Sequence, residues 1–154
     1  MTADEARAAI SRLIFLCDAY NDAAEFDKVG ELFRDGEIGV SGMGDSVCRG
    51  AEATAEQFRN STQVYPEGGA RTHHSSTNLI IDVDLDQGMA LCRSRYTMMQ
   101  QTDELPLQVV LAGHNEDTFE LVDGEWRWKR RYITVDLAGD LSHHLQASTT
   151  PFVE

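Results

Sequence analysis

Apolar residues recur at helical spacing from the start of the chain: Ala6, Ile10, Leu13, Cys17 and Tyr20 form one stripe, which Ala9 and Leu16 widen. Thr2 and Asp4 are both placed to cap this helix, and the pattern ends it near Asn21-Asp22. A shorter amphipathic segment, EFDKVGELF, turns Phe26, Val29, Leu32 and Phe33 to one side. Asp22 therefore falls at a junction between helices. Beyond Gly36, EIGVSGMGDSVCRG reads as two short strands about a glycine-rich turn, whose four glycines lack the order of a phosphate-binding loop. AEATAEQFRNSTQV predicts a third helix with Ala51, Ala55 and Phe58 on one side, closed by the loop YPEGGA.

The period then drops to two. THHSSTNLIIDV, MALCRSRYTMM, LQVVLAGHNEDTFELV and WRWKRRYITVDL are strand candidates, separated by the turns DLDQG, QTDELP and DGE. Three helices followed by long antiparallel strands give an α+β order, with the helices covering one face of a bent sheet. A chain of 154 residues suits one compact domain, residues 1–154, with HHLQASTTPFVE as a loose C-terminal tail.

Charge narrows the partners. With 26 acidic and 13 basic residues the net charge is -13, which repels phosphate backbones and anionic lipid, so nucleic acid and membrane surfaces are not expected partners. No apolar run reaches membrane-spanning length. The N-terminus, MTADEARAAISRL, has acids where a signal peptide has bases, and the expected location is cytoplasmic. Cys17, Cys48 and Cys92 show no CxxC spacing and read as small buried hydrophobes. Neither a metal nor a cofactor is expected; His143-His144, near the tail, lacks the i, i+4 geometry of paired ligands.

Candidate chemistry centres on RTHHSSTNLIIDVD, which puts two adjacent histidines at the head of a strand. Histidine changes charge near neutral pH and serves readily as a general base. Alternation along a strand lets only one of His73 and His74 face a cavity. The order of elements resembles the SnoaL-like branch of the nuclear transport factor two-like superfamily. DAAEFDKVGELFRDGE is similar to its helix junction, RTHHSSTN to its Thr-x-His-x-x-x-Asn strand start, and GHNEDTFELVDGEWRWKRR to its last hairpin. The likeness runs over roughly residues 6–141, leaving 142–154 as the tail.

The resemblance implies a cone-shaped α+β barrel, three N-terminal helices packed on a strongly bent antiparallel sheet, with a buried pocket and a homodimeric or homotrimeric assembly. It places the Asp-His dyad of the scytalone dehydratase and dehydrochlorinase type on Asp22 and His74, and the following Asn on Asn78. The tyrosine that precedes the Asp in the dehydratases is replaced by Asn21, with Tyr20 one position back, and their second histidine falls near Met99. On the last hairpin the resemblance selects Val109, Leu111, Gly113, Asn115, Asp117 and Phe119 for the pocket side, so that His114 points away.

A carboxylate bonded to one ring nitrogen of His74 fixes the tautomer and leaves the other nitrogen to take a proton. The expected activity is that of a cofactor-free lyase, isomerase or cyclase, abstracting a proton from a small hydrophobic carbonyl or cyclic substrate. Tyr20, Asn78, Tyr96, Asn115, Trp128 and Tyr132 are the candidate substrate-binding residues. The basic run Arg127, Lys129, Arg130, Arg131 is expected to be solvated or paired with the acidic excess. The alternative is a non-catalytic binding or assembly subunit, because RRYITVDLAGDLSHHL resembles the end of ring-hydroxylating dioxygenase beta subunits. Val110 and Ala112, read as exposed, suggest a homodimer through the outer sheet face.

Overall fold

The computed structural model describes residues 1–41 and 47–146; the glycine-rich turn expected around 42–46 and the last residues of the chain lie outside them. Helix α1 spans Ala3–Asp22, α2 Phe26–Leu32 and α3 Gly50–Ser61. Thr2 caps α1: its hydroxyl accepts from the Glu5 backbone N–H while the Glu5 carboxylate accepts from the Thr2 backbone N–H. Ala6, Ile10, Ile14 and Cys17 are the buried stripe of this helix, with Leu13 and Tyr20 at its margin.

The strands are β1 (Glu37–Val40), β2 (Val47–Arg49), β3 (Thr72–Asp84), β4 (Met89–Gln100), β5 (Gln108–Val122) and β6 (Glu125–Ala138). They form one sheet in the order β2-β1-β6-β5-β4-β3, antiparallel except where β1 runs parallel to β6. Three helices packed on this curled sheet make the α+β architecture expected from the sequence. Helix α1 lies along β3, and α2 packs on α3.

Bulges bend the sheet, and each one exchanges the faces to which successive side chains point. Asn78 and Leu79 together oppose Ser94, and Asn78 takes up a left-handed φ of 55° that asparagine tolerates better than most residues. Before this bulge Thr72, His74 and Ser76 face inward; after it Leu79, Ile81 and Val83 do. Val110 is the extra residue between the Met99 and Met98 partners, so Val110 and Leu111 are both buried while Val109 is 53% exposed. This corrects the expectation for both valines. Lys129 and Asp136 are the corresponding extra residues of β6.

The interior has two apolar clusters. One joins α1 and α2 to Ala90, Cys92, Phe119, Trp126 and Trp128; the other gathers Tyr96, Met98, Leu105, Val110, Leu111, Leu141 and Leu145. Ile133 packs against both. The stretch after β6 is not a loose tail as far as Gln146. Leu145 bridges Thr62, and the backbone oxygen of His143 accepts from the Tyr65 hydroxyl at 2.5 Å and from Gln100 Nε2 at 3.0 Å.

Candidate active site

Asp22 is the last residue of α1, and the loop before β3 is docked against it. Its backbone oxygen accepts from the Ala70 N–H at 2.9 Å, and a Cβ on Gly69 would come within 2.8 Å of that oxygen, so the approach needs glycine. The docking brings the start of β3 onto the Asp22 carboxylate. Oδ1 accepts from the Thr72 hydroxyl at 2.7 Å and lies 2.5 Å from His74 Nδ1, while Oδ2 accepts from the His74 backbone N–H at 2.9 Å.

Burial raises the pKa of Asp22, but the hydrogen bonds and charge of His74, together with the Thr72 hydroxyl, outweigh it and hold the carboxyl below the usual aspartate value. An ionised carboxylate only accepts, so the proton between the two side chains sits on Nδ1, and in a neutral imidazole it is the other nitrogen, Nε2, that can accept one.

His74 faces a cavity of about 120 Å³ between the two apolar clusters. Ile38, Phe58, Met98, Leu111 and Leu145 form part of its apolar wall, and Asp18, Asn21, Asn115, Arg131 and His144 bring polar groups to it. Asp18, one helical turn before Asp22, holds the next stretch of β3 by accepting from the Ser76 N–H at 3.1 Å. Arg131 is 4% exposed and forks onto Asp117, with Nε–Oδ1 at 2.7 Å and Nη2–Oδ2 at 2.9 Å. Burial works against the charge on Arg131, yet Asp117 holds its pKa above the ordinary arginine value. Asn115 Oδ1 and His144 Nδ1 are buried without a hydrogen-bond partner among the described residues.

Two of the six expected substrate-binding residues line the cavity. Tyr96 crosses β5 over Gly113 to donate to the Thr134 carbonyl at 3.1 Å; burial pushes its phenol well above the ordinary range, so it is a neutral hydroxyl. A Cβ on Gly113 would sit 2.6 Å from that hydroxyl oxygen. Asn115 is the other.

The remaining four lie elsewhere. Asn78 is exposed on its bulge. Trp128 is fully buried in the core, stacked on Phe33 at 4.7 Å, and its indole N–H donates to Asp117. Tyr132 lies on the other side of the sheet, with the Arg130 guanidinium over its ring at 5.7 Å. Tyr20 is half-buried beside Lys28, away from the cavity lining. The first three follow from bulges or from core packing beside the cavity, neither of which a period-two pattern reveals.

Sequence reasoning passed over Asp18, Arg131 and His144. The i, i+4 spacing of Asp18 and Asp22 on one helix was a usable signal for the first. Arg131 was hidden in a basic run whose other members pair at the surface, Arg127 with Asp35 at 2.8 Å and Lys129 with Glu120 at 3.5 Å. His73 is exposed, and His114 pairs with Asp136 at 2.8 Å. Cys17 and Cys92 are buried, and burial raises both thiols to about 12, so neither is a nucleophile at neutral pH. Among the described residues no three His, Cys, Asp or Glu side chains are grouped so as to hold a metal ion, and no helix is long and apolar enough to cross a membrane.

A family model, the SnoaL-like domain, matches residues 3–132. No curated protein matches significantly. The fold recurs in an NTF2-like protein with a cystatin-like fold from Novosphingobium aromaticivorans, at 22% identity and a TM-score of 0.72 over 90% of this chain and 86% of that one. A proposed scytalone dehydratase from the same organism is 25% identical, with a TM-score of 0.68 over 87% of this chain and 86% of that one. The beta subunit of a proposed aromatic-ring-hydroxylating dioxygenase, again from that organism, is 16% identical, with a TM-score of 0.71 over 89% and 93%. On the strength of a match that spans most of its length, this chain belongs to the SnoaL-like domain family.

Proposed function

We propose that the chain is a lyase, isomerase or cyclase in which the Asp22-His74 pair abstracts a proton beside the carbonyl of a small hydrophobic substrate. The observation that carries this reading is the 2.5 Å contact between Asp22 Oδ1 and His74 Nδ1, with the imidazole facing a cavity. Asp22 orients the ring and stabilises the imidazolium that forms. His74 takes the proton; the C–H electron pair becomes the enolate double bond and the carbonyl oxygen gains the charge. The enolate then expels a β-substituent with its bonding pair, is reprotonated at another carbon, or closes onto an electrophilic carbon. Polar groups fixed around a largely apolar cavity favour this charge development.

The cavity sets the substrate class. A dry engineered cavity of roughly 150 Å³ takes benzene, so about 120 Å³ limits the buried part of the substrate to no more than about one ring or its open-chain equivalent. Asp18 and Asp22 on the helix disfavour an anionic substrate, since Arg131 is already neutralised by Asp117.

The test is α-deuteration of single-ring ketones in D₂O, followed by NMR. His74→Ala removes the exchange while the fold persists, and Asp22→Asn slows it more than it weakens ketone binding. Exchange that survives both changes would contradict the mechanism.

A second reading has its own support. The outer sheet face exposes Ile80, Leu91, Val109 and Leu137, each more than half accessible, which suits an assembly subunit as well as a homodimer. Likeness of fold to a dioxygenase beta subunit is compatible with that role. Co-purification with a Rieske-type catalytic subunit, with no ketone exchange by this chain alone, would favour it.

A further inference from the structure

The chain beyond β6 is fastened in a way that packing alone does not require. The backbone oxygen of His144 accepts from Gln63 N at 2.8 Å and its N–H donates to Leu141 O at 3.0 Å. Gln63 Nε2 donates to the carbonyls of Ser142 and Leu145 at 2.7 and 2.5 Å, and Tyr65 and Gln100 hold the carbonyl of His143. Leu141 and Leu145 supply the apolar anchors. What this fixes is the imidazole of His144, which lines the same cavity as His74 and has a buried Nδ1 with no hydrogen-bond partner among the described residues. A buried polar atom without a partner costs about 1–3 kcal/mol, and a purely structural position would be better filled by another leucine.

We propose that His144 is the second imidazole of the site, hydrogen-bonded through a ring nitrogen to an oxygen of the substrate while His74 takes the proton. This rests on the reading of His74 as the base. In the step, the α C–H bond breaks, its proton passes to His74, and the electron pair flows through the forming C=C to the carbonyl oxygen. His144 donates an N–H to that oxygen without transferring the proton. The imidazolium of His74 returns a proton or deuteron to carbon, and both histidines end as they began.

Burial and then the neighbouring His74 push His144 down to about 4, against the opposing pull of Asp22, so it enters the reaction neutral. Neutrality is what the step needs. Two imidazolium ions in one small cavity would repel, and a neutral imidazole beside a developing oxyanion is a competent donor.

The probe is cyclohexanone carrying ¹³C at the carbonyl, added in D₂O to the wild type and to His144→Phe, His144→Gln and His74→Ala, each checked for an unchanged unfolding midpoint. In the wild type the bound carbonyl resonance moves downfield and the α-protons exchange. His144→Phe loses the shift and exchanges about 100-fold more slowly, the usual cost of removing one oxyanion donor, while His144→Gln, which keeps a donor, stays within about tenfold of the wild type. A His144→Phe variant with the wild-type shift and rate overturns the assignment of His144. A His74→Ala variant that exchanges at the wild-type rate overturns the base instead, whatever His144 does. A wild type that neither shifts nor deuterates the ketone overturns both.

Discussion

At the scale of single residues, His144 and Asp22 each make the stability of the fold depend on pH. His144 has a folded pKa of about 4 against an ordinary 6.5, so between those values the unfolded chain binds a proton that the folded one refuses. Stability therefore falls as pH drops from 6.5 to 4 and is unaffected by this group above or below that window. At 1.36 kcal/mol per unit the loss is at most about 3 kcal/mol. Urea unfolding at a series of pH values should show the slope, and His144→Gln should flatten it. Asp22 acts in a different range: its folded pKa lies below the usual one, so its contribution is present above the ordinary aspartate value and disappears as pH falls through the lowered one. Asn78, expected to bind substrate, instead supports the left-handed φ of its bulge. Asn78→Gly should be nearly neutral in unfolding experiments, whereas Asn78→Val should cost about 1–2 kcal/mol.

At the scale of elements, what could be read from the sequence and what could not are separated by the bulges. The helices, their order and the four long strands follow from apolar spacing because burial selects one face of each element. Asp22 and His74 were singled out by the resemblance to the SnoaL-like family, not by apolar spacing, which left His73 and His74 as alternatives; the structure brings Asp22 Oδ1 and His74 Nδ1 to 2.5 Å. Side-chain facing failed wherever a strand gained a residue. Trp126 and Trp128 face inward, so strict alternation would send Arg130 and Tyr132 after them. The extra Lys129 sends Arg131, Ile133 and Val135 inward instead. Nothing in the local composition announces that residue.

Two consequences can be measured. Asp117→Asn leaves the Arg131 guanidinium buried without its counter-charge and should destabilise the protein by about 3–5 kcal/mol in chemical denaturation. Gly113→Ala puts a methyl group 2.0 Å from the Thr134 carbonyl oxygen and 2.6 Å from the Tyr96 hydroxyl. It should therefore cost about 1–3 kcal/mol and open the cavity wall, weakening ketone binding in a titration.

At the scale of the molecule, a curled sheet holds a small cavity between two apolar clusters, and the helix junction and the stretch after β6 bring polar groups to it from opposite ends of the chain. That long-range assembly is why His144 could not be anticipated: its position depends on Gln63, Tyr65 and Gln100, all distant in sequence. The exposed apolar residues of the outer face lead us to expect a homodimer, and sedimentation at micromolar protein should give twice the mass of one chain; a monomer would contradict this.

The proposed chemistry depends most on the state of the pair at the helix junction. ¹⁵N NMR of the His74 ring at neutral pH tests it directly: we expect a protonated Nδ1 with a strongly deshielded proton, an unprotonated Nε2, and loss of that pattern in Asp22→Asn. A His74 that carries its proton on Nε2, or whose ring signals do not respond to Asp22→Asn, would contradict the claim that this histidine is held ready as a base.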